Sequence, residues 1–166
     1  MMPIDRIEKW LATEFPGETL RSHLFASKIA PSFLVPNSFI EVSGNYGDAG
    51  RAAFISSLAL DPDKRIGAFV DSTVYALTDR QLCIASRGGI RQRPKELLHA
   101  APHAGLKVYW YDDKPEAGNQ FRQLVFVFPD GSWRGDRTGI KVLGKVPKAA
   151  NAHHFIEALG PMASEV

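Results

Sequence analysis

The chain has 166 residues, 45% of them hydrophobic and 23% charged, an ordinary globular composition and long enough to bury a core without staples. Its 20 Lys and Arg against 18 Asp and Glu leave a net charge of +2, which argues against a wholesale nucleic-acid binder. Its single cysteine, Cys83, excludes an internal disulfide framework and a zinc site built from several thiolates.

Residues 4–15 predict an amphipathic helix, with Pro3 at its start and Ile4, Ile7, Leu11 and Phe15 at helical spacing. Pro16-Gly17 ends it. Residues 18–47, broken by Pro31, Pro36, Gly44 and Gly47, read as irregular, with room for one short helix or strand. A second helix is expected over 49–60, with Asp48 as N-cap and Asp61-Pro62 as the exit. Residues 68–77 and 81–86 are rich in strand formers and sit close enough for a hairpin. Gly88-Gly89 is a further turn. Residues 106–111 alternate Leu106, Val108 and Trp110 with Lys107, Tyr109 and Tyr111, the period of a strand. Residues 121–128 are apolar enough for a strand buried on both faces, and Asp130-Gly131 turns the chain into a partner strand over 132–137. Ala152, Phe155, Ile156 and Leu159 form one helical stripe, with Asn151 to cap it and Gly160-Pro161 to stop it.

The expected fold is α+β with a mainly β core: a bent antiparallel sheet or small barrel, capped by the C-terminal helix and preceded by helical material. This divides the chain into a helical or irregular extension over 1–60, a β domain with its capping helix over 61–160, and a tail over 161–166. No apolar run reaches the roughly 20 residues that span a bilayer. The opening residues lack the basic start and apolar stretch of a signal peptide, so a cytoplasmic location is the expectation.

The run Val74-Tyr75-Ala76-Leu77-Thr78-Asp79-Arg80-Gln81-Leu82-Cys83-Ile84 resembles the first hairpin of bacterial pleckstrin-homology-like domains. Arg93-Pro94-Lys95-Glu96-Leu97-Leu98 is similar to the segment after their third strand, and the helix over 151–159 stands where that family has its capping helix. The resemblance covers about residues 67–160. It implies a PH-like barrel acting as a non-catalytic binding or scaffolding module. A lipocalin-like or other small barrel is the competing reading.

Catalytic chemistry finds little purchase. His99 and His103 are four apart but separated by Pro102, so a polar loop is expected rather than a helical metal pair. His153 and His154 are consecutive and diverge on a helix, which makes them solvent-facing, with His154 and Glu157 spaced for a surface pair. His23 has no motif around it. Cys83, between Leu82 and Ile84, reads as a buried small hydrophobe. The glycine-rich run over 44–50 reads as a connector. Asp112-Asp113 and Asp61-Pro62-Asp63 read as turn acids that bond the backbone. No catalytic residue, metal or cofactor is expected.

The best functional clue is charge. Residues 1–79 hold 7 basic and 10 acidic side chains, while residues 80–166 hold 13 and 8. The densest basic stretch, Arg87, Arg91, Arg93 and Lys95, is the candidate contact surface. Tyr109 and Tyr111 share one side of their strand and join it as candidate ligand-binding residues, with Trp110 facing the core. Trp133 is a lesser interface candidate. A protein partner is the leading expectation, with anionic lipid or single-stranded nucleic acid also open. A ligand-binding barrel or an enzyme with an interior pocket is the alternative class.

Overall fold

The computed structural model describes residues 3–28, 57–67, 72–88, 93–113, 115, 117–146 and 151–166. Helix α1 (Pro3–Glu14) buries Ile7 and Leu11, four apart on one face, and leaves Ile4 at its rim. Among the described residues eight strands follow: β1 (Leu20–Lys28), β2 (Ser72–Thr78), β3 (Gln81–Gly88), β4 (Arg93–Pro102), β5 (Lys107–Asp112), β6 (Gln120–Val127), β7 (Trp133–Lys141) and β8 (Ala163–Glu165). Helix α2 (Ala152–Leu159) lies between β7 and β8.

The strands form one sheet in the order β4-β3-β2-β1-β7-β6-β5-β8. β1 to β4 make one antiparallel meander and β5 to β7 a second. They join at β1 and β7, which among the described residues pair at Ser27↔Arg137 and Lys28↔Asp136. Beyond that short ladder side chains take over: Thr138 Oγ1 donates to the Phe25 carbonyl (2.8 Å), and Asn151 Nδ2 donates to the His23 carbonyl (2.9 Å). α2 packs against β1, β2 and β7 at this seam.

Two apolar layers flank the first meander. On one side Tyr75 stacks on Phe126 with ring centroids 4.2 Å apart, and Phe155 of α2 meets both rings edge-on at 6.4 and 6.3 Å. Such aromatic pairs stabilise by more than their buried area alone. On the other side Ile7 and Leu11 of α1 cover Phe25, Val74, Ala76, Cys83 and Ala85. The β2–β3 turn is fixed by Thr78, whose hydroxyl accepts from the amides of Arg80 (3.1 Å) and Gln81 (3.0 Å).

Several expectations change. Residues 20–28, in the stretch expected to be irregular with room for one short helix or strand, form an interior strand of the sheet, with Ser22, Leu24 and Ala26 buried on one face and Phe25 buried between the exposed Arg21 and Ser27 on the other. The stretch matched to a first hairpin is therefore β2–β3. Residues 163–165, expected to be tail, pair in parallel with β5 at Val108, Tyr109 and Trp110. Asn151 does not cap α2 with its side chain; it sits in the left-handed region (φ 55°), and its amide reaches β1 instead. Gly160 does end the helix, at φ 58°. Gly88 belongs to β3 rather than a turn. The helix expected over 49–60 lies outside the described residues up to 56, as do residues 68–71, Gly89 and the glycine-rich run over 44–50. Among the described residues, no helix is long and apolar enough to cross a membrane.

Candidate functional site

β4 ends the sheet, and its start carries the predicted basic stretch. Arg87 of β3 stands opposite Pro94, while Gly88 stands opposite Arg93. Neighbouring pairs on an antiparallel ladder project to opposite faces. Arg87 and Arg93 are therefore on different sides of the sheet, and Lys95 shares the side of Arg93. Arg93, Lys95 and Glu96 are exposed, and Leu97 is 36% exposed. Arg87 is committed elsewhere: Nη2 donates to the Ala26 carbonyl (3.2 Å), and the guanidinium lies 5.0 Å from the Phe25 ring centroid. Burial pulls its pKa below the usual arginine value, partly opposed by Asp136. Arg91 lies outside the described residues. Of the four cations, the fold brings Arg93 and Lys95 together and takes Arg87 away from them.

The tyrosines do share a side of β5, yet their surroundings differ. Tyr109 is half-buried beside a groove of about 450 Å³ lined also by Lys107, Met162 and Ser164. Tyr111 is 1% exposed, which takes its ring face out of reach of an incoming base. Trp110 packs toward the main core as expected, with Arg122 4.1 Å over its ring. Trp133 is not an interface residue: it is buried, and its Nε1 donates to the Asp61 carbonyl (2.6 Å).

The charges that sequence reasoning missed are inside. Arg134 and Asp136, two apart on β7 and so on one face, are each 0% exposed. Arg134 Nε and Nη2 donate to Asp136 (2.7 and 3.2 Å), and Nη1 donates to the carbonyls of Ile66 and Gly67 (both 2.6 Å). Asp136 also accepts from Thr73 Oγ1 (3.0 Å) and from the Tyr75 hydroxyl. Burial works against the Arg134 charge, but Asp136 and Tyr75 together outweigh it and hold the pKa above the usual value. Burial and then Asp136 push the Tyr75 hydroxyl well up, so it stays a donor. The i, i+2 spacing of Arg134 and Asp136 is the only local sequence signal for this cluster. Its other members come from more than 60 residues away.

A smaller polar cluster joins α2 to β1. His154 Nδ1 lies 2.7 Å from the buried Ser22 hydroxyl, and Asn151 Nδ2 is 3.4 Å from the same oxygen. His153 and His154 are exposed, as expected. The half-buried His23 ring meets Phe25 edge-on, and burial, then His154, lowers its pKa. His99 corrects the loop expectation: it is in β4, opposite Ile84, with its ring 4.4 Å from Phe128. The Cys83 thiol is 1% exposed and pushed up to about 12 by burial, which suits a packing role. Asp61 bonds the backbone as expected, accepting from the Asp63 amide (2.9 Å). Asp112 instead forms a two-pronged pair with Arg122 (2.7 and 3.0 Å).

No protein-family model matches the sequence, and no curated protein or solved structure matches it.

Proposed function

We propose that this chain is a non-catalytic binding module of PH-like type that engages a protein partner along β4. The observation that carries this reading is the order of the strands. Two antiparallel meanders meet through their first and last strands, with a C-terminal helix packed on that seam, the arrangement expected of a PH-like scaffold. The outer strand β4 presents Arg93, Lys95 and Glu96 with the half-open Leu97 beside them. An extended, net-acidic segment of a partner fits this combination of strand edge and charge.

The other readings draw less support. The space between the meanders is filled by Tyr75, Phe126 and Phe155, which disfavours a ligand-holding barrel or an enzyme with an interior pocket. Burial of Tyr111 removes half of the stacking pair that a single-strand nucleic-acid binder would use.

Affinity capture from native lysate with the whole chain and an Arg93→Glu/Lys95→Glu variant tests the proposal. A species recovered at low salt by the native protein and lost with the folded variant is the expected result. Equal recovery by both, or recovery of nothing beyond the bead control, overturns it.

A further inference from the structure

We infer that the hairpin after β7 seats on the surface of an anionic phospholipid bilayer. Val142 and Lys145 exchange backbone hydrogen bonds of 2.8 and 3.0 Å, closing a tight turn over Leu143 and Gly144. Both turn residues have positive φ, 51° and 75°, the geometry of a primed hairpin turn. Glycine adopts that conformation readily and leucine does not. Leu143 nevertheless stands there 81% exposed, with Val146 at 68% and Val142 at 40%. Within the folded chain its side chain gains little packing in return for the strain.

The tip is held in place. The Leu143 amide donates to Asn119 Oδ1 (2.9 Å), and the Gly144 amide donates to the Gly118 carbonyl (2.8 Å). The supporting turn, Ala117-Gly118, has φ of 50° and 79°. A Cβ on Gly118 would lie 3.2 Å from the Gly144 nitrogen, so this close approach, with its positive φ, favours glycine. An aliphatic knuckle is thus presented on a fixed backbone.

Its flanks are cationic. Lys141 and Lys145 are exposed, and the sequence from 137 to 156 holds four Lys or Arg and no Asp or Glu. Aliphatic side chains between lysines match the boundary of headgroups and acyl chains. There the tip can leave water while the ammonium groups stay among the phosphates on their flexible stems. A protein partner is the weaker match, since protein interfaces are poor in lysine and their hot spots under-represent leucine and valine. The contact is peripheral, and it goes beyond the β4 reading because it uses other residues.

Flotation of the whole chain with vesicles tests it, using phosphatidylcholine alone and phosphatidylcholine mixed with phosphatidylglycerol. Binding to the anionic vesicles, weak binding to the neutral ones and loss at high salt are expected. Leu143→Asn places a residue that tolerates the left-handed region at the tip, so the fold is kept while affinity falls by about tenfold or more. Lys141→Gln/Lys145→Gln lowers it by about tenfold or more as well. The fluorescence of Leu143→Trp shifts to the blue on adding anionic vesicles. Failure of the native chain to float, equal binding to both vesicle types, or unaltered binding by either folded variant overturns the proposal. So does a self-association in sedimentation that Leu143→Asn abolishes while vesicles have no effect, because the knuckle is then a contact between copies. A failure confined to the Arg93→Glu/Lys95→Glu capture experiment sinks the β4 reading and leaves this one standing.

Discussion

Arg134 on β7 and Arg93 on β4 carry the same side chain on one sheet, with three strands between them, and their surroundings are opposite. Arg134 is fully enclosed and bonds Asp136 and the carbonyls of Ile66 and Gly67. Arg93 is exposed at the outer strand. The first charge organises the seam between the two meanders; the second faces solvent. Net charge along the sequence does not separate these roles, because strand register decides which cation faces a carboxylate and which faces water.

The largest effect is expected at the enclosed pair. Asp136→Ala leaves Arg134 buried without its counter-charge and should destabilise the fold by about 3–5 kcal/mol, measured by urea unfolding. Arg134→Met/Asp136→Leu removes both charges and should recover much of that loss. An Asp136→Ala variant as stable as the native chain would show that the seam does not depend on the pair. Phe155→Ala probes the apolar side of the same seam. With the ring 0% exposed and wedged against Tyr75 and Phe126, the expected cost is about 3 kcal/mol or more. A loss under about 1 kcal/mol would mean that α2 contributes little to the core.

That apolar side was the legible part. The period of α1 and α2, the β2–β3 hairpin and the alternation of β5 all appear in the sequence, because each is set by residues close together in the chain. β1 was hidden by its position. The buried face mixes Ser22 with Leu24 and Ala26, and the face of exposed Arg21 and Ser27 also holds buried Phe25, so Leu-Arg-Ser-His-Leu-Phe-Ala-Ser-Lys shows no clean alternation. β8 is three residues long and owes its place to the end of α2 rather than to composition. Of the candidate contact residues, Arg93 and Lys95 are exposed on one side of β4. Arg87 was not distinguishable from them until its pairing with Pro94 put it on the face of Phe25. The Arg134–Asp136 cluster depends on Thr73, Tyr75, Ile66 and Gly67, and such distant contacts leave little local pattern.

A smaller effect is expected at two half-buried imidazoles. His23 and His99 both have pKa values lowered chiefly by burial from an ordinary value near 6.5. The unfolded chain therefore binds protons more readily at these sites. Their contribution to stability is fully present above about pH 6.5 and is lost as pH falls through that value toward the folded pKa. The melting temperature should decline between pH 7.5 and 5.5, and His23→Gln/His99→Gln should flatten the decline. A profile that rises over that window, or a double variant with an unaltered slope, would contradict the assignment.

The smallest stability effect belongs to the exterior cations, and it bears most directly on the division between buried charges that build the fold and exposed ones proposed to meet partners. The measurement is urea unfolding of Arg93→Glu/Lys95→Glu/Lys141→Gln/Lys145→Gln, run beside capture from lysate and vesicle flotation on the same preparation. The expected result is an unfolding free energy within about 1 kcal/mol of the native value, with both binding activities lost. Destabilisation by several kcal/mol, or a stable variant that still binds as the native chain does, would contradict the account.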